Sequence, residues 1–419
     1  MNKPIIYCDN QSITQIDIRV LEAMRPFFLQ YYANPQSVYE MGSRSKEALE
    51  NARTAVASLI NAEVREIVFT SCGTESNNLA LKGIAQALKG KGNHIIISQI
   101  EHFSITNSAK KLESEGFEID YVGVDREGFI NEAELKSLLR KDTILVSLQY
   151  ANPEIGAIQN IKKLAGIVKE NSTAVFHSDG VGAVGVLPID VKQLPIDALS
   201  FSSSSIYGPR GAAALFVKKG CPLIPQIDGG VQEGRKRAGT ENLPSIFGFG
   251  TTCTFLKDEI DINSLRTSKL RNTLITKLPT LIPHIYLNGP SNLNSRLPGN
   301  VNFSIEFVEG EALFLMLDAK GIIAASGSAC AAKDLKLSQV LKAIGVDVAV
   351  AQGSLIFTLS KYNTDDEINY ILEVLPQIVE QLRAMSPLYS YFQKTGKRKE
   401  AGPGTDFSDS HDHENENED

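Results

Sequence analysis

The sequence predicts an α/β protein, with a large domain built on a mainly parallel sheet and a smaller α+β C-terminal domain. Three observations predict it. From about residue 45 to 220, strand-like and helix-like segments alternate. The strands are short, continuous apolar runs, the pattern of a sheet covered on both faces. The chain has 419 residues, too many for one small core, so a second unit is expected.

In chain order, residues 45–60 carry Ala48, Leu49, Ala52, Ala55, Val56 and Leu59 at helical spacing. A strand at 66–70 leads to a helix over 75–88 with Leu79, Leu81, Ile84 and Leu88. The same alternation gives strands at 94–98, 119–124, 143–148 and 174–177, with helices at 105–112, 131–139 and 161–170. Two further apolar runs, 198–201 and 212–217, flank Ser202 to Ser205 and the turn Tyr207-Gly208-Pro209. From 261 onward the expected elements are a helix (265–278), a strand (301–305), a helix (311–317), a small-residue loop around Cys330, a helix (338–344), a strand (354–359) and a long helix (365–385). The predicted domains are therefore 13–260, then 1–12 with 261–395, and an acidic tail at 396–419.

Composition narrows the function classes. Apolar content of 42% and charged content of 22% are ordinary for a soluble globular protein. No apolar run is long enough to span a bilayer, the N-terminal stretch is too short for a signal peptide, and a cytoplasmic location is expected by default. The last fifteen residues hold seven acids and no Lys or Arg. Without them 42 acids face 42 bases, so the body is formally neutral, which argues against a nucleic-acid-binding body. The like-charged tail is expected to be disordered. The five cysteines are odd in number, widely spaced and without a C-x-x-C pair, so neither a disulfide framework nor a zinc site is expected.

In a parallel sheet, ligands sit at the carboxyl ends of the strands, so the residues just after each strand are the candidates. Ser71-Cys72-Gly73-Thr74-Glu75 joins a strand end to a helix start: either a phosphate site made of free amides and the Thr74 hydroxyl, or a helix cap. His102 either stacks on a planar ligand or shuttles a proton, or is a packed or capping histidine. Asp179, if buried, needs a cation, supplied by a protonated pyridine nitrogen, an arginine or His177. Ser202 to Ser205 suit a small anion close to the backbone, yet no lysine lies between Lys192 and Lys218. The glycine-rich basic stretch 229–242 either embraces an anion, crosses a subunit interface or is a solvated loop. Cys330 sits among Ser326, Gly327, Ser328 and Ala329, with Lys333 close enough to favour a thiolate, and reads as reactive or ligating.

Together these residues resemble a cysteine desulfurase of the NifS/IscS type, in the class V aminotransferase group. The carrying motifs are Thr70-Ser71-x-x-Thr74-Glu75-Ser76-Asn77-Asn78, Glu101-His102, Asn152-x-Glu154-Ile155-Gly156, His177-x-Asp179, Ser205-Ile206-Tyr207-Gly208-Pro209-Arg210-Gly211, Arg237-Ala238-Gly239-Thr240-Glu241-Asn242 and Ser326-Gly327-Ser328-Ala329-Cys330. The resemblance implies a homodimeric type I pyridoxal-phosphate fold and enzymes that take sulfur from cysteine, leaving alanine and a persulfide on a loop cysteine. It implies phosphate contacts at Gly73, Thr74 and Ser202, ring stacking by His102 and a pyridine-nitrogen carboxylate at Asp179. Thr240 matches a phosphate contact from the partner subunit, and Cys330 the persulfide cysteine.

The departures cluster at the same site. Where the family has a lysine preceded by a histidine, this chain has Ser205 and Ser204, and a hydroxyl cannot form the imine. Ser204 remains a candidate cofactor contact. The family's ring-hydroxyl glutamine corresponds to Gly182, its substrate-side asparagine to Pro153, and its carboxylate-clamping arginine to Ile356. An arginine of the glycine-rich loop corresponds to Gly234, and Gln11-Ser12-Ile13-Thr14-Gln15 replaces a different N-terminal run. The expectation is a desulfurase homologue that does not perform ordinary desulfuration, with any pyridoxal phosphate held non-covalently. It would act in iron–sulfur assembly or sulfur relay, with Cys330 carrying a persulfide or ligating an iron–sulfur cluster shared with a partner. Ser386 to Tyr389 resembles the segment by which the family docks its scaffold protein, or else is a helix end packed on its own domain. The alternatives are an active desulfurase or C–S lyase with non-covalent cofactor, and a heterodimer partner of an active paralogue.

Overall fold

The computed structural model describes residues 5–325 and 338–398. Cys330 and residues 399–419 of the acidic tail lie outside the described residues. The strands are β1 (Ile6–Tyr7), β2 (Ile67–Thr70), β3 (His94–Ser98), β4 (Glu118–Val122), β5 (Thr143–Ser147), β6 (Val175–Asp179), β7 (Ala198–Ser202), β8 (Ala213–Val217), β9 (Ile285–Leu287), β10 (Asn300–Ile305), β11 (Ile322–Ile323) and β12 (Ser354–Thr358).

The large sheet has the order β2-β8-β7-β6-β5-β3-β4. Strands β3 to β7 pair in parallel, while β8 runs antiparallel to both neighbours. Period-2 geometry sends alternate residues to the two covered faces, which is why its central strands are buried at every position. Ile67, Phe69, Ile96 and Val146 enter one core, packed with the helices Glu40–Leu59 and Ile161–Asn171. Val68, Ile95, Ile97 and Leu145 enter the other, with the helices Gly73–Leu88 and Phe103–Ser114. Phe249 meets Phe69 and Phe201 edge to face at 6.4 and 5.7 Å, each pair contributing roughly 0.5–1.5 kcal/mol beyond burial.

The sequence pattern starts a helix at 265, but the structure has one continuous helix, Leu243–Leu281. It runs through residue 261, where the sequence places a domain boundary. Its first half packs on Glu40–Leu59, and Gly250 makes that crossing possible: a Cβ there would lie 2.6 Å from the Ala52 Cα. Its second half puts Leu270, Leu274 and Leu278 into the core of the small antiparallel sheet, β12-β10-β9. One helix serving two cores presents no single apolar stripe, which is why helical periodicity is weak across its middle.

The N-terminus joins the small unit. β1 pairs with β11 in parallel, and the Asn10 amide donates to the Thr358 carbonyl at 2.7 Å. The chain then crosses to the large sheet, where the Thr14 N–H and hydroxyl both donate to the Ser204 carbonyl at 3.0 Å. Among the described residues no helix is long and apolar enough to cross a membrane.

Candidate functional site

The carboxyl ends of the parallel strands open into one cavity of about 340 Å³, closed on the far side by residues 10–14, 297–300 and 358–359. Thr14, Asn300 and Thr358 line it from those three segments.

One end is built by β2 and the helix that follows. Cys72 is the N-cap residue but makes no side-chain cap bond. Glu75 instead turns back and accepts from the Ser71 N–H at 2.8 Å and the Ser71 hydroxyl at 2.5 Å. Arg237 holds Glu75 in place at 2.8 Å and, with Ser71, draws its carboxyl below the ordinary range against the burial that raises it. The first helical amides are left without intrahelical partners, at the positive end of a 16-residue helix. Gly73 is required by close approach, since a Cβ there would lie 2.7 Å from the Val181 Cγ2. Ser202 and Ser204 close this end, their hydroxyls 3.1 Å apart.

Deeper in, Asp179 ends β6. Burial raises its carboxyl above the ordinary range. Its oxygens accept from the Val181 N–H at 3.0 Å and the Asn77 amide at 2.8 Å. No Lys or Arg lies among the described residues lining the cavity. The Asn77 amide also donates to Ser104 at 2.8 Å, while its Oδ1 is buried without a partner. His102 caps the next helix through Nδ1, which accepts from the Ser104 N–H at 3.1 Å, so the neutral ring carries its proton on Nε2. Glu101, behind this cluster, is driven well above the ordinary carboxyl range by burial, with the Asp179 charge adding to the effect. Its Oε1 accepts from the Gln149 N–H at 2.7 Å.

Gly73, Thr74, His102, Asp179, Ser202, Ser204 and Ser205 all line this cavity. Ser205 lies in a single tight turn, Ser203–Ser205, and its hydroxyl donates to the Ser202 carbonyl at 2.9 Å. Thr240 is exposed and outside the lining. The 229–242 stretch is tied to its own chain: Arg53 grips Glu233 at 2.6 and 2.8 Å, and Arg237 grips Glu75. Lys361 stands near the cavity without lining it. Its ammonium lies 4.6 Å from the Tyr207 ring centroid and is committed to Asp17 at 2.6 Å. His177 is not available as a cation for Asp179. Its ring bonds Ser147 at 2.8 Å and Ser200 at 2.9 Å, and burial lowers its pKa to about 3.

Asn77, Ser104 and Gln149 were given no role from the sequence. For Asn77 the signal was its position three residues after Thr74, on one helix face. Ser104 and Gln149 come from other strand–helix units, so nothing local marks them. Among the described residues no group of three His, Cys, Asp or Glu side chains is placed to hold a metal.

This donor set fits pyridoxal phosphate. Free helix amides with the hydroxyls of Thr74, Ser202 and Ser204 suit the phosphate. A buried carboxylate held only by neutral donors suits a protonated ring nitrogen.

The class-V aminotransferase family model matches residues 6–371. A cysteine desulfurase IscS of Dictyoglomus turgidum is 45% identical over 382 residues, 91% of this chain and 96% of the relative. One of Methanosarcina thermophila is 46% identical over 383 residues, 91% of this chain and 94% of the relative. A solved NifS-like protein superposes with a TM-score of 0.85 at 34% identity, covering 90% of this chain and 100% of its own. The architecture is the type I fold of pyridoxal-phosphate-dependent enzymes, with a large mixed, mostly parallel sheet, as expected from the sequence.

Proposed function

The chain belongs to the class-V aminotransferase family, in its IscS/NifS cysteine desulfurase branch, and from that premise we propose that it has left ordinary desulfuration and works as a non-catalytic partner in iron–sulfur assembly or sulfur relay through Cys330. The observation that carries this reading is the cavity lining: among the described residues it holds neither Lys nor Arg. Ser205 lines the cavity where the family's lysine is expected, and a hydroxyl neither anchors the cofactor nor moves protons as an amine does. Ile356, in the place of a substrate-clamping arginine, is fully buried in β12 and presents no charge. Gly182 and Pro153 bring no polar side chain to the lining.

When bound, pyridoxal phosphate supplies an electron-withdrawing ring for chemistry at the α-carbon of an amino acid. In this chain Thr74, Ser202 and Ser204 bind the phosphate, Asp179 holds a proton at the ring nitrogen, and His102 covers the ring. These residues account for non-covalent binding, and none of them replaces the missing amine. In the same reading the protein is a homodimer, and Thr240, exposed in its own chain, serves the partner's cavity. Ser386 caps the helix Pro387–Thr395, which has no buried residue and exposes Leu388 and Tyr391. That face meets an iron–sulfur scaffold or sulfur acceptor.

The test is borohydride treatment of the protein loaded with pyridoxal phosphate, followed by intact mass, alongside an assay for alanine formed from cysteine. The expected result is no covalent pyridoxyl group and no alanine above a heat-denatured control. A covalent group, or alanine production lost in Cys330→Ser, would overturn the reading.

A further inference from the structure

The helix Pro387–Thr395 packs through one side only. Tyr389 and Phe392 lie 5.4 and 4.9 Å from the Phe307 ring centroid, and Phe392 lies 5.0 Å from that of His284. Leu388 and Tyr391, three residues apart on a neighbouring face, are 47% and 40% exposed. Met385, which ends the preceding helix Asp365–Met385, is 71% exposed. Together they make an apolar patch of the kind that marks an interaction surface.

Charge says what covers it. Residues 381–399 hold five bases, Arg383, Lys394, Lys397, Arg398 and Lys399, and no acid. Residues 400–419 hold eight acids and no Lys or Arg. The first turn of the helix has no acid to meet its positive end, and Lys394 lies in its last turn. A second copy meeting the same face would set like charges against each other.

The chain also sets out from the right place. Arg398, the last described residue, pairs with Glu306 at 2.6 Å, and Glu306 precedes the Phe307 on which the helix sits. Phe407 is the one large apolar side chain beyond residue 398. The stretch from Arg398 to Phe407 spans up to about 30 Å when extended, against a helix about 14 Å long. Gly402-Pro403-Gly404 lies between them and is a turn signal. We propose that residues 400–419 dock on this face of their own chain, with Phe407 against Leu388 and Tyr391 and the acids along Lys394, Lys397 and the helix start. The tail then competes with any partner for the same surface, a consequence that rests on the partner reading above.

The experiment is hydrogen exchange read by mass spectrometry on the full chain, following the amides of 387–395. Wild type is compared with Phe407→Ser and with a chain carrying Asp406→Asn, Asp409→Asn and Asp412→Asn. Each variant is expected to speed exchange there about tenfold, through loss of one buried ring or of the charge contacts, and to leave the rest of the chain unchanged. Salt at about 1 M, where the screening length is about 3 Å, is expected to do the same to wild type. Carbodiimide cross-linking of wild type is expected to join Lys394 to an acid of 406–412 within one chain, and mixing labelled with unlabelled chains separates such links from those between chains. Unchanged exchange in either variant, protection that grows with protein concentration, or links only between chains would overturn the proposal, the last two by giving the face to a second copy. No partner enters these measurements, so their failure is distinct from failure of the partner reading.

Discussion

Replacing Glu154 by glutamine tests how the cavity wall is held. Glu154 follows Pro153, a lining residue. Its backbone carbonyl accepts from Asn300 at 3.0 Å and Asn302 at 2.9 Å, which fasten this loop to β10. Its half-buried carboxylate accepts from the Ser338 hydroxyl at 2.5 Å, and Ser338 in turn caps the helix Gln339–Ala343. Burial pushes the carboxyl up to about 7, against the Ser338 hydrogen bond that lowers it. A raised folded pKa means that folding favours the protonated form. The associated stability is complete below the unfolded value, is lost as pH rises through 7, and is constant above that. A carboxyl that titrates near 4.5 unfolded and near 7 folded loses about 3 kcal/mol over that window, at about 1.4 kcal/mol per pH step. Glu154 is partly exposed, so solvent screening trims that figure towards about 2 kcal/mol. Glutamine keeps an acceptor for Ser338 and cannot ionise. Urea unfolding of both proteins at pH 5 and pH 8 should show Glu154→Gln gaining about 2 to 3 kcal/mol on wild type between the two. Parallel pH profiles would refute the reasoning.

Arg53→Met should destabilise by about 3–5 kcal/mol, because it strands the Glu233 carboxylate with only the Phe69 N–H at 2.8 Å. Adding Glu233→Gln should recover part of that loss in thermal melts, and full additivity of the two changes would refute the pairing. His177, lowered to about 3 by burial, should contribute stability that is present above about pH 6.5 and is lost as pH falls towards 3. In His177→Gln the acid limb of the stability profile should flatten by about 1 kcal/mol per pH step between pH 6 and 4, measured by urea midpoints. Ser205→Lys should place an amine in a cavity that already holds Asp179 and the Thr74–Ser202 end. Borohydride should then fix a pyridoxyl group detectable by mass in the variant, and its absence would mean that Gly182 and Pro153 matter as much as the anchor.

The parallel sheet could be read directly because continuous apolar strands such as Ile95 to Ile97 answer to two cores at once. Gly73-Thr74, His102, Asp179 and Ser202 could be picked out because the strand-end rule needs only the order of elements. The helix Leu243–Leu281 could not be read as one element, because its buried face changes partner halfway along. The role of Asn77 has no local sign, since its bonds to Asp179 and Ser104 span 102 and 27 residues.

The amino-acid order by itself determined the alternation of strands and helices, the absence of a lysine between 192 and 218, and which residues follow each strand. Those are local facts, set by side-chain type and period. Only the tertiary structure decided that Lys361 is held by Asp17 outside the cavity, that Thr240 lies outside its own chain's lining, and that His177 is locked between Ser147 and Ser200. It also decided that Asp179 is buried with neutral donors alone. The physical reason is that a titratable group's charge and partners depend on burial and on atoms far away in sequence, and packing of the whole chain sets both.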